Sequence, residues 1–273
     1  MKKTIVSTIW LSEHLEDLDL IILEARLDQN QSNLENQFQD IQIKGTQVFD
    51  IKNTFSDIQN PLPNTFPSVT QFTIECQKLG INKNSTIVVY DTLGIYSSPR
   101  VWWMFNVMGH SNIYVLDGGL PEWIKEGFPT EIQKQNTFPK GDFEAKLQPK
   151  LIKNKEQILE NINSKEAILI DARSPDRFHA TVEETRVSIR NGHIPGSINI
   201  PFGNLLDDGK YKSKEALSEI FDLNDKPIYF TCGSGITACI LLLATEFISD
   251  NPKAVYDGSW TEWGHSTTLP IDK

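Results

Sequence analysis

The chain has 273 residues, about two domains' worth at ~150 residues each. A hydrophobic share of 39% with 16 Gly and 14 Pro is ordinary for a globular protein and excludes a disordered chain, and its longest wholly apolar run, Ala238 to Ala244, is far short of the ~20 residues that span a bilayer. The net charge of −10, from 36 acidic and 26 basic side chains, argues against nucleic acid or an anionic membrane as partner and leaves room for a small anion held by a local arginine pair.

Met1-Lys2-Lys3 and the apolar stretch from Thr4 to Leu11 imitate a signal peptide. Ser7 and Thr8 break that stretch, however, and Glu13, Glu16, Asp17 and Asp19 follow with no small-residue cleavage site. The chain is therefore expected to start here and to work in the cytoplasm. Its three cysteines, Cys76, Cys232 and Cys239, form no CxxC pair, and an odd count suits a reducing compartment. His14, His110, His179, His193 and His265 include no pair at zinc-ligand spacing, so no metal site is expected.

Along the chain, one long pattern occurs twice, about 140–150 residues apart. Ile21-Ile22-Leu23-Glu24-Ala25-Arg26 returns as Ile168-Leu169-Ile170-Asp171-Ala172-Arg173. Ile43-Lys44-Gly45 returns as Ile194-Pro195-Gly196. Phe72 to Leu79 has helical spacing and places Cys76 in packing. Ile87-Val88-Val89-Tyr90-Asp91 then returns as Ile228-Tyr229-Phe230-Thr231-Cys232, and Val115-Leu116-Asp117-Gly118-Gly119 with Trp123 returns as Val255-Tyr256-Asp257-Gly258-Ser259 with Trp263. A period this long means two duplicated domains, not a solenoid.

The join falls between Gln135 and Pro149, where Asn136, Pro139, Gly141, Asp142 and Gln148 supply turn formers and polar residues. The expected division is 1–136, a linker 137–149, and 150–273. In the second half, Ala167–Asp171 and Pro227–Cys232 read as buried strands, and Ser213–Phe221 and the nearly all-apolar Thr237–Ile248 as helices. Strands separated by helices predict an α/β fold in each half: a small parallel sheet flanked by helices, with ligands at the carboxyl ends of the strands.

The most informative stretch is Thr231-Cys232-Gly233-Ser234-Gly235-Ile236-Thr237-Ala238. A strand delivers Cys232 to its carboxyl end, two glycines allow a tight curl, and a helix starts just after. Such a loop turns several backbone N–H groups toward one centre with the helix's positive end behind them, which stabilises a thiolate and an anionic sulfur beside it. An inert buried cysteine has no need of a glycine-permissive loop. Cys239, inside the apolar helix, reads as core.

The two halves, the cysteine loop and the motifs around them resemble the tandem rhodanese-domain sulfurtransferases over essentially the whole chain. The stretches that carry the resemblance are Tyr96-Ser97-Ser98-Pro99-Arg100-Val101-Trp102-Trp103, Leu116-Asp117-Gly118-Gly119-Leu120, Gly192-His193-Ile194-Pro195-Gly196 and the loop itself. In that family the C-terminal domain carries the cysteine and the N-terminal domain has lost its own; here Asp91 stands at the place matching Cys232. Family members acting on 3-mercaptopyruvate have Cys-Gly-Ser-Gly, an aliphatic residue and Thr-Ala, which Cys232 to Ala238 resembles, whereas those preferring thiosulfate have Arg and Lys after the cysteine.

The resemblance implies Cys232 as nucleophile, with Ser234 helping to deliver a proton. It also implies Gly233, Gly235, Ile236 and Thr237 as the anion-holding loop, Arg177 and Arg186 as carboxylate clamps, and Tyr96 as an aromatic reaching the substrate from the first domain. It implies sulfur passing from 3-mercaptopyruvate through a Cys232 persulfide to a thiol, thioredoxin or a small thiol, or to cyanide, with no cofactor. The sequence departs from the family at Lys44 in the first domain's turn, at Lys52 where some members have an acid, and at Asn64 where a histidine is common. It does not carry over a serine–acid proton relay. Asp50 reads as structural and Arg190 as a surface residue.

The same residues bear on four other readings. Thiosulfate sulfurtransfer and a persulfide carrier serving a protein partner share the same cysteine. A cysteine-dependent phosphatase needs an arginine closing the loop to clamp phosphate, and Ala238 stands there. A serine hydrolase is excluded, because Cys232 occupies the first glycine position of a G-x-S-x-G elbow.

Overall fold

The structure is a computed structural model that describes residues 4–27, 35–38, 40–134, 136–184 and 186–273. Met1-Lys2-Lys3, Gln135 at the join and Thr185 beside Arg186 lie outside the described residues. The first half runs β1 (Ile5–Val6), α1 (Thr8–His14), β2 (Leu20–Arg26), β3 (Ile41–Ile43), β4 (Gln47–Asp50), α2 (Val69–Lys78), β5 (Thr86–Tyr90), α3 (Ser98–Val107), β6 (Ile113–Leu116), α4 (Gly119–Lys125) and β7 (Thr130–Ile132). The second runs β8 (Ile152–Lys153), α5 (Lys155–Ser164), β9 (Ile168–Asp171), α6 (Pro175–Phe178), β10 (Ile198–Asn199), β11 (Leu206–Asp207), β12 (Lys210–Tyr211), α7 (Lys214–Ile220), β13 (Ile228–Thr231), α8 (Ala238–Thr245), β14 (Lys253–Tyr256) and α9 (Ser259–His265).

Each half holds a five-stranded sheet, in the order β1-β6-β5-β2-β4 and β8-β14-β13-β9-β10. Matching strands occupy matching places, and all pairs within both sheets are parallel. Parallel sheets need both faces covered. Accordingly β5 (Thr-Ile-Val-Val-Tyr) and β13 (Ile-Tyr-Phe-Thr) are rich in β-branched and aromatic residues and lie mostly buried at the sheet centres. The duplication extends to single bonds. Trp123 donates its indole N–H to the carbonyl of Pro129 at 3.0 Å, and Trp263 does the same to Pro270 at 2.8 Å. Gly119 and Ser259 share a left-handed backbone, with φ of 55° and 51°. Gly119 has no room for a side chain, because a Cβ would lie 2.5 Å from the Asp91 carbonyl.

The stretch after the first domain reads from sequence as a polar linker, yet it is strapped down. Gly141, Phe143, Lys146 and Gln148 donate backbone N–H groups to the carbonyls of Gln77, Ile81, Met108 and Val107, at 2.7–3.1 Å, and Phe143 enters the core. Turn-forming residues set its direction, and main-chain bonds fix it along α2 and α3. Helices α3 and α8, each following the central loop of its own domain, pack against one another. Val101, Trp102, Met104 and Phe105 thereby join Ile240, Leu241 and Leu243 in one hydrophobic core that runs through both domains. No helix among the described residues is long and apolar enough to cross a membrane.

Candidate active site

Strand β13 ends at Thr231 and places Cys232 in the buried throat of the loop leading to α8. The Gly235 N–H donates to Cys232 Sγ at 3.2 Å. Of the loop glycines, Gly235 alone has a left-handed backbone, φ +81°, while Gly233 does not. The N–H groups of Gly233, Ser234, Ile236 and Thr237 meet no protein acceptor among the described residues. Four amides that donate to no protein group, on a loop curled around one sulfur, form a ready anion nest. On its outer side, Gly233 is pinned through its carbonyl, which accepts from Thr261 N–H at 3.0 Å and Thr261 Oγ1 at 2.6 Å. Ser259, in its left-handed position, accepts from Cys232 N–H at 3.4 Å.

The first domain shows what such a nest does with an anion. Asp91 ends β5 where Cys232 ends β13. Its Oδ2 accepts from the backbone N–H groups of Tyr96, Ser97 and Ser98 at 2.9–3.1 Å and from Ser98 Oγ at 2.7 Å. Burial pushes the Asp91 carboxyl up, against the lowering effect of the bonds from Ser98, Tyr96 and Leu93. The amides of that loop are thus met by a side chain of the protein itself. A cavity of about 430 Å³ opens beside it, lined in part by Glu24, Arg26, Asp91 and Tyr96, on the first domain rather than at Cys232.

Around the cysteine loop, Arg177 and Arg186 stand in different states. Arg177, on α6, lies against Gly233, where an added Cβ would sit 3.4 Å from its Nη2. It pairs with Glu184 at 2.7 Å, and that buried carboxylate also takes Arg173 at 3.0 Å. Arg186 reaches the Gly233 carbonyl at 3.5 Å and touches Thr261 Oγ1, and it has no carboxylate partner among the described residues. Burial pulls its pKa down and the like charge of Arg177 adds to that, with Cys232, Glu184 and Tyr96 opposing. Tyr96 is buried edge-on to Phe202 across the domain boundary.

Ser234 Oγ accepts from Asn64 Nδ2 at 3.2 Å. Lys52 sits exposed on the turn after β4, where Asp50 accepts from the N–H groups of Lys52 and Asn53 at 3.1 and 2.9 Å, a turn-forming role. Arg190, read from sequence as a surface residue, is a half-buried clamp donating to the carbonyls of Gly264, Trp263 and Leu269 at 2.9–3.4 Å. Sequence reasoning gave no role to Arg100, Asp257 and Thr261. Arg100 did carry a signal, as the lone charge in the mostly apolar stretch Ser98 to Val107. The other two depend on contacts distant in sequence.

The rhodanese-like domain family matches residues 7–126 and 154–266. An Escherichia coli protein named 3-mercaptopyruvate sulfurtransferase is 35% identical over 98% of this chain and 97% of its own length. A rat thiosulfate sulfurtransferase is 38% identical, over 96% and 92% respectively. A crystal structure described as a 3-mercaptopyruvate sulfotransferase from Escherichia coli superposes with a TM-score of 0.84 at 33% identity, covering 95% of this chain and 99% of that one. The same loop at the end of the same central strand in each half, one holding a cysteine and the other an aspartate, and these matches over nearly the full length make the chain a two-domain member of the rhodanese-like family.

Proposed function

We propose that the protein is a sulfurtransferase that takes sulfur from 3-mercaptopyruvate. The observation that carries this reading is the contrast between the two nests: in the first the amides hold the Asp91 side chain, and in the second Gly235 N–H turns to Cys232 Sγ while those of Gly233, Ser234, Ile236 and Thr237 meet no protein acceptor among the described residues. The Cys232 thiolate attacks the substrate sulfur, the S–C bond breaks, and its electron pair leaves as the enolate of pyruvate. The proton given up by the substrate thiol goes to the enolate carbon with the help of Ser234, leaving a Cys232 persulfide anion in the nest. A thiol or cyanide then attacks the outer sulfur and regenerates the thiolate, a two-stroke scheme with ping-pong kinetics. Arg186 and Arg177 hold the substrate's carboxylate and carbonyl oxygens.

Thiosulfate is the second donor to weigh, because a relative bearing that activity in its name is 38% identical. Gly233 and Ser234 bring no cation to the compact dianion, which favours the mercapto-acid. Three free cysteines suit a reducing compartment, and the cytoplasm is our assignment. Mass spectrometry of the wild type after 3-mercaptopyruvate, without acceptor, should show one added sulfur that a reductant removes, and Cys232→Ser should lose both the adduct and turnover. Substantial turnover in Cys232→Ser, or sulfur mapped to Cys76 or Cys239, would sink the assignment.

A further inference from the structure

Arg100 belongs to the first domain but acts on the second domain's loop. Its guanidinium is wholly buried and stacks 4.5 Å from the centre of the Trp103 ring. From there Nη1 donates to the carbonyl of Gly235 at 3.2 Å, and Nη2 donates to the carbonyl of Asn64 at 2.8 Å. Nη2 also lies 2.7 Å from Asp257 Oδ1, at the end of β14, while Asp257 Oδ2 accepts from Phe66 N–H at 2.9 Å. Its Nε meets no hydrogen-bond partner among the described residues. A buried donor left unsatisfied is costly, so the side chain is posed for what its two Nη groups reach.

The Gly235 carbonyl is the informative contact. In a trans peptide the C=O and the following N–H point in opposite directions. Arg100, joined by the Cys239 thiol at 3.4 Å, draws the Gly235 carbonyl outward, and the Ile236 N–H of the same peptide is turned the other way. The fit is tight: a Cβ on Gly235 would lie 2.9 Å from Arg100 Nη1 and 3.1 Å from the Asp257 carbonyl. Through the Asn64 carbonyl the same guanidinium also steadies the segment whose side chain reaches Ser234.

We propose that Arg100 is a cross-domain positioning residue that fixes the Gly235–Ile236 peptide with its N–H facing the outer sulfur of the Cys232 persulfide. This rests on the sulfurtransferase reading for its consequence but not for its geometry. The first domain, whose own loop carries Asp91 in place of a cysteine, thereby completes the nest of the second. Asp91 anchors the loop from which α3 begins, and α3 carries Arg100.

A buried ion pair contributes little net stability when both partners are replaced together, so Arg100→Met combined with Asp257→Asn should fold. Arg100→Lys keeps a charge for Asp257 but loses the fork, and serves if the double variant does not fold. In single-turnover experiments with 3-mercaptopyruvate, the double variant should form persulfide roughly 10²-fold more slowly, the size of effect seen on removing one oxyanion donor. KM should change by less than about 3-fold and Arg100→Lys should recover part of the rate, because substrate binding and chemistry are separated here. A crystal structure of the folded variant should show the Gly235 carbonyl turned into the loop. A wild-type persulfide rate, or an unmoved Gly235–Ile236 peptide, overturns the proposal. A wild type that takes no sulfur from 3-mercaptopyruvate overturns the functional reading instead, and the orientation of the peptide still decides the role of Arg100.

Discussion

Two arginines of the same charge face one loop, and their partners give them different tasks. Arg177 shares the buried Glu184 with Arg173, so part of its charge is already met within the protein. Arg186 is half-buried beside that like charge, and its hydrogen bonds among the described residues go to a hydroxyl and a carbonyl rather than to a carboxylate. An anionic substrate supplies what it lacks. Arg186→Ala should therefore cut kcat/KM for 3-mercaptopyruvate roughly 10- to 150-fold, as for a charge-assisted carboxylate contact of ~1.5–3 kcal/mol. Arg177→Ala should also weaken use of the substrate, by less, and it alone should lower thermal stability, since it removes one of the two cations on Glu184. Arg186→Ala should leave the midpoint within about 4 °C, equivalent to ~1 kcal/mol for a chain of this size. Arg186→Lys keeps the charge without the fork and should recover only part of the activity. Steady-state rates and melting curves on the three variants check this. Equal kinetic losses in the two alanine variants, or a large stability loss in Arg186→Ala, would contradict the division of labour.

At the scale of elements, the strand–loop–helix unit is used twice with opposite outcomes. Around Cys232 the loop offers its amides outward to chemistry. Around Asp91 a differently built loop, bridged between Asp91 and Gly94, is closed by the aspartate side chain, which makes it structural. Asp91→Ala would strand three buried amides without an acceptor at ~1–3 kcal/mol each, so urea denaturation should show several kcal/mol lost, and less in Asp91→Asn, which retains one acceptor oxygen. An unchanged urea midpoint in Asp91→Ala would show that the loop holds itself without the carboxylate. The strands and their duplication were legible in the sequence because β-branched runs such as Ile87–Tyr90 and Ile228–Thr231 recur with the same punctuation. The Asp91 substitution was legible too, by alignment of the halves. What Asp91 binds was not, since its acceptor role depends on how residues 96–98 fold back over it. Nor was Arg100's: a helix-borne arginine announces that it is buried and paired, but its partners Asn64, Gly235 and Asp257 come from three separate stretches. Arg190 was misread for the same reason, since its carbonyl partners leave no mark in sequence.

For the molecule as a whole, the two halves are bound to each other by the helices that follow the two loops. Every residue of α8 is buried, as are nine of the ten in α3, and the helices share one core. Apolar helix faces of this kind cannot be parted without exposing Val101, Met104, Leu241 and Leu243 to water at ~25 cal/mol per Å². Arg100 and Asn64 cross the same boundary to the loop, and Tyr96 crosses it to Phe202. Stability and activity should therefore be lost together. Phe105→Ala, a change in α3 that touches none of the groups assigned to sulfur transfer, should cost ~3–5 kcal/mol by opening a cavity and should lower a single calorimetric transition. Sulfur transfer assayed after brief heating should fall at that same lowered temperature, although every reacting group lies in the other domain. If Phe105→Ala instead splits the melt in two, with activity surviving to the unshifted transition, the domains are thermodynamically independent and the shared core does not couple the first domain's folding to the Cys232 loop.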